Sequence, residues 1–98
     1  MIFTIDIVGS ECHIVVYDNI TDLTQRIEWQ DIFEGQLTII DEFGVEYEWD
    51  ATKFNEIGTT YNYTLIPTSR VSNLVTQCLK MVSSNKNLRE FRFRSGDI

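Results

Sequence analysis

A chain of 98 residues, 43% hydrophobic and 23% charged with one proline and five glycines, has the size of one domain (residues 1–98) and excludes the fibrous and disordered classes. A formal charge of −7 opposes binding to nucleic-acid phosphates or anionic lipid, so the expected partner is a basic protein, with no nucleic acid and no membrane. The charge is unevenly spread: residues 1–66 carry 13 acidic side chains against Arg26 and Lys53, a balance of −11. Residues 67–98 carry Arg70, Lys80, Lys86, Arg89, Arg92 and Arg94 against Glu90 and Asp97, a balance of +4.

The N-terminal MIFTIDIVG has no basic n-region and holds Asp6 inside its apolar run, so neither export nor anchoring is expected and the expected compartment is the cytoplasm. Ile2 to Val8 alternates loosely, Gly9-Ser10-Glu11 has turn chemistry, and His13 to Tyr17 is β-branched; together they predict a first hairpin. Asp18 to Gly35 is ambiguous. Ile20, Leu23 and Ile27 have helical spacing, and so do Trp29, Ile32 and Phe33, but on different stripes. One or two short helical turns with an irregular link are the favoured reading, and a strand through Arg26 to Trp29 is the competitor.

Gln36 to Asp50 carries the clearest hairpin signal. Leu37 to Ile40 is apolar, Val45, Tyr47 and Trp49 alternate with Glu46, Glu48 and Asp50, and Gly44 supplies the positive φ of the intervening loop. With the aromatic residues turned inward, Glu46, Glu48 and Asp50 line the outer face, and Asp41 and Glu42 extend it at the tip. One wet face is ordinary for an antiparallel sheet; a docking surface for a basic partner is the sharper reading.

Ala51 to Thr60 reads as a loop, and Thr59 to Ile66 as a strand closed by Pro67. Val71, Leu74, Val75, Cys78, Leu79 and Val82 form one apolar stripe, predicting a helix over about 69–83 capped by Thr68 or Ser69. Leu88 to Arg94 alternates again and predicts a last strand. The expected fold is α+β: a mainly antiparallel sheet of about five to six strands, with the 69–83 helix on one face.

No residue set reads as catalytic, cofactor-binding or metal-ligating. His13 is the only histidine, Cys12 lies beside it on the opposite face of a strand, and Cys78 falls on an apolar helix stripe. The two cysteines match no metal or redox spacing, and the hairpin carboxylates form a row instead of a calcium cage. The basic, aromatic strand Arg89 to Arg94 can grip a single-stranded nucleic acid, or it can pair beside Val45 to Trp49 so that Arg92 and Arg94 face Glu46 and Glu48. In the second case the docking surface moves to Asp18, Asp22, Glu28, Asp31, Glu34 and the loop tip.

A short, acidic α+β chain of this kind resembles the immunity proteins of bacterial toxin systems, including contact-dependent growth inhibition. The resemblance is compositional and covers the whole chain. It implies a non-enzymatic inhibitor that covers a basic toxin domain, such as a nuclease. Asp41, Glu42, Phe43, Glu46, Glu48, Asp50, Asp31 and Glu34 would form the docking surface, and Phe43, Trp29 and Phe33 would be its aromatic anchors. The alternatives are a phage-type inhibitor that mimics nucleic-acid charge and a structural subunit that oligomerises through the edge strand Leu88 to Arg94.

Overall fold

The computed structural model describes residues 1–28, 31–32, 37–50 and 63–94, apart from the side chain of Phe93. Six strands form one antiparallel sheet: β1 (Ile2–Val8), β2 (Glu11–Tyr17), β3 (Leu37–Asp41), β4 (Val45–Trp49), β5 (Leu65–Val71) and β6 (Glu90–Arg94). Their spatial order is β5-β4-β3-β1-β2-β6. Helices α1 (Ile20–Arg26) and α2 (Leu74–Ser84) pack against the sheet in an α+β fold. No helix among the described residues is long and apolar enough to cross a membrane.

Gly9, at φ 62°, opens the two-residue link from β1 to β2, where Val8 faces Glu11. A glycine in the first central position is the requirement of a type II′ turn, whose twist matches that of the strands. Antiparallel pairing then carries Ile2 opposite Tyr17 and Phe3 opposite Val16, and on the other flank Phe3 opposite Ile40.

Because neighbouring residues of a strand point to opposite faces, β1 feeds two cores. Ile2 joins Tyr17, Leu23, Ile39, Tyr63 and Leu65 under α1. Phe3 and Ile5 join Ile14, Val16, Ile40, Phe91 and Cys78 under α2. A sheet covered on both faces explains why β1 and β2 are apolar along much of their length, with only partial alternation.

In the ambiguous segment after β2, Ile20–Arg26 is helix, while residues 29–30 and 33–35 lie outside the described residues. Asn19 Oδ1 accepts the Asp22 N–H at 2.8 Å and so caps α1, and Asp22 pairs with Arg26 one turn later at 2.9 Å. Leu23 faces the core with no exposure. Residues 26–28 are not strand.

Two expectations and one alternative are corrected. The helix begins at Leu74, not near residue 69, because the backbone before it belongs to β5: Thr68 Oγ1 donates to the Glu46 carbonyl at 2.9 Å and Ser72 N–H to the Gly44 carbonyl at 2.8 Å. Val71 is therefore 67% exposed at a strand end, Leu79 is also exposed, and Met81 takes a place on the packed stripe. Pro67 does not close a strand. It lies inside β5, which is an edge strand where a missing N–H is tolerated, while residues 59–62 of the expected strand lie outside the described residues. Finally, β6 pairs with β2 at the opposite end of the sheet from β4, so Arg92 and Arg94 do not face Glu46 and Glu48.

Candidate docking site at the β3–β4 turn

The turn between β3 and β4 is built around Asp41. Its Oδ1 accepts the N–H groups of Phe43 at 2.9 Å and Val45 at 3.0 Å, and its Oδ2 accepts the Tyr47 hydroxyl at 3.2 Å. Gly44 N–H returns to the Asp41 carbonyl at 3.0 Å, and Gly44 adopts φ 85°, which completes a three-residue loop with a glycine bulge. Burial, then the Asp41 carboxylate, raises the Tyr47 phenol above its ordinary pKa.

This scaffold leaves Glu42 and Phe43 at the apex. Phe43 is 78% exposed, the highest exposure among the large hydrophobic residues described. Glu42 lies 3.4 Å from the Met1 amino group. Beside them an open cleft of about 420 Å³ runs between the turn and the start of α1, with Met1, Ile2, Ile20 and Tyr47 among its walls. An exposed aromatic at the rim of a part-apolar cleft, with a carboxylate next to it, suits a partner surface that offers both an apolar contact and a cation.

The other expected residues do not share that apex. Glu46 and Glu48 stand on the face covered by α2 and meet Arg70: Arg70 Nε is 2.8 Å from Glu46 Oε2, and Arg70 Nη2 is 3.7 Å from Glu48 Oε2. The Glu46 bond, aided by the charge of both carboxylates, raises the Arg70 pKa further. Asp50 follows β4 in a buried position, its N–H donating to the Thr64 carbonyl at 2.8 Å. Asp31 is exposed on the α1 side, and its negative charge contributes to the raised pKa of Tyr63, whose main cause is burial. Glu34, Trp29 and Phe33 lie outside the described residues.

Arg70 is the neighbour of Glu46 and Glu48 that sequence reading missed. The apolar stripe from Val71 onward drew it into the expected helix, whereas a strand reading of Thr68 to Val71 would have set a cation across from the β4 carboxylates. Met1, Ile2 and Ile20 reach the cleft through long-range folding and carry no local signal.

At the far edge of the sheet, His13 Nε2 contacts Glu90 Oε1, and Arg89 pairs with Asp18 at 2.9 Å. Cys12 and Cys78 are fully buried free thiols, and burial pushes the Cys78 thiol up to about 11. Such a thiol is protonated at neutral pH and is a poor nucleophile. Among the described residues no group of three or more His, Cys, Asp or Glu could hold a metal ion. No family model, curated protein or solved structure matches this chain.

Proposed function

We propose that the chain is a protein-binding inhibitor of the immunity type, which docks a basic toxin domain through Glu42, Phe43 and the adjoining cleft. The observation that carries this reading is Phe43, left 78% exposed on a turn held by three hydrogen bonds to one carboxylate. A mobile loop would lose binding energy in ordering itself, and this turn has already made that sacrifice. The net charge of −7 adds long-range attraction for a cationic partner and accelerates encounter, an effect that salt weakens.

The test is capture of partners from the source lysate on the tagged chain and on its F43A and E42K variants, at low and high salt. A basic protein held in stoichiometric amount by the parent chain, and released by both substitutions, is the expected result. A partner retained equally by all three chains would remove the turn from the interface. An acidic or uncharged partner would remove the electrostatic part of the reading.

A further inference from the structure

The sheet has two edges, and they are unequal. β5 offers a broken ladder, because Pro67 has no N–H and its pairing with β4 shifts register between Val45 and Tyr47. β6 offers a regular one. Val16 N–H donates to the Arg89 carbonyl at 2.8 Å, and the same register continues as Ile14 opposite Phe91 and Cys12 opposite Phe93. In an antiparallel ladder hydrogen-bonded pairs alternate with non-hydrogen-bonded ones, so Arg89, Phe91 and Phe93 turn their backbone groups toward β2. Glu90, Arg92 and Arg94 therefore direct theirs away from the sheet, and all three are exposed.

We propose that this edge is a homodimer interface, in which Glu90–Arg94 pairs antiparallel with the same strand of a second copy about a two-fold axis at Arg92. That register makes Glu90 opposite Arg94, Arg92 opposite Arg92 and Arg94 opposite Glu90, all hydrogen-bonded pairs. These are the residues whose N–H and C=O groups face outward. The axis makes the interface isologous and joins the two sheets into one.

Charge is compatible with this register, and the number of outward pairs favours it. Glu90 meets Arg94 of the other copy twice, on the face that also carries His13 and Glu11 of β2 in register with Arg92 and Arg94. Moving the pairing by two residues one way sets Arg92 against Arg94; moving it the other way keeps two opposite-charge pairs, Glu90 with Arg92, but reduces the three outward-facing pairs within the strand to two. The single like-charged pair, Arg92 with its counterpart, has Glu90 on one diagonal and Arg94 on the other. This edge lies across the sheet from β4, so it is separate from the proposed docking turn and its test is independent of that reading.

Sedimentation equilibrium of the full chain, from micromolar to millimolar concentration, should show mass rising from 11.5 kDa toward twice that value. E90R and R94E should each weaken the dimer by about tenfold or more, since both cross-strand pairs become like-charged. An equimolar mixture of the two variants should regain the dimer, because every Glu90–Arg94 position is again opposite in sign. R92P removes an outward N–H and spares the bonds to β2, so it should abolish association while the circular dichroism spectrum is kept. A mass of 11.5 kDa throughout, or a dimer unchanged in all three variants, would overturn the proposal.

Discussion

Gly44 and Ser72 lock the candidate docking turn to the start of α2. The Ser72 N–H donates to the Gly44 carbonyl at 2.8 Å, and a Cβ on Gly44 would stand 2.9 Å from the Ser72 carbonyl oxygen and 3.0 Å from a Val75 methyl. Gly44→Ala thus meets two penalties, a left-handed φ of 85° and a backbone clash. The conformational part alone costs about 1–2 kcal/mol. Urea unfolding should show at least that loss, and binding of the basic partner should weaken with it because the turn is displaced.

Phe43→Ala and Glu42→Lys should behave in the opposite way. Both side chains are exposed and pack against little, so stability should stay within about 0.5 kcal/mol of the parent chain. Partner binding should fall sharply. Paired melting and binding curves separate this outcome from a folding defect.

Tyr63 ties the described chain before β5 to the end of α1, its hydroxyl donating to the Ile27 carbonyl at 2.7 Å. Tyr63→Phe keeps the ring in its buried place and leaves the carbonyl without this donor. A loss of about 1 kcal/mol is expected in chemical denaturation. Leu23→Ala, at a site with no exposure, should cost about 2–5 kcal/mol by comparison.

Alkaline pH should destabilise the chain by way of Cys78. The thiol ionises at about 9.0 in the unfolded chain and about 11 in the folded one, so the folded state holds its proton longer. Stability is therefore complete below pH 9 and falls as pH rises through 11, at up to about 1.4 kcal/mol per pH unit. Above pH 10 the buried phenols of Tyr17 and Tyr63, raised from 10.0, add to the same trend. Cys78→Ala should flatten the slope between pH 9 and 10 in denaturation curves taken across that range.

Local pattern carried most of the sheet. β1 to β4 follow from apolar runs bounded by Gly9 and Gly44, and α2 follows from Leu74, Val75, Cys78 and Val82, since each signal depends on residues a few positions apart. The start of α2 was hidden for a physical reason. Val71 fits the helical stripe, but Thr68 and Arg70 gain partners on Glu46 only if the chain stays extended, and that gain depends on tertiary pairing. Pro67 misled in the same way, because its place in a strand depends on β5 being an edge.

The apex of the candidate site was legible because a turn is local: Asp41, Glu42, Phe43 and Gly44 are consecutive. The extent of the acidic surface was not. Strand alternation correctly puts Glu46 and Glu48 on one face, yet it says nothing about which cation the sheet order brings to them. Arg70 answers that through a register shift no periodicity announces.

The two cores on either side of β1 have a consequence for how alignment is kept. In a sheet with one dry and one wet face, a strand displaced by a single residue is punished at once by exposed hydrocarbon. Here Ile2 and Phe3 would exchange one apolar environment for another, and hydrophobicity alone would barely object. Correct alignment rests instead on the tight links at Gly9 and Gly44, whose fixed lengths count residues for the strands they join. An insertion of one residue at either link would leave the composition of the cores intact and still scramble the molecule.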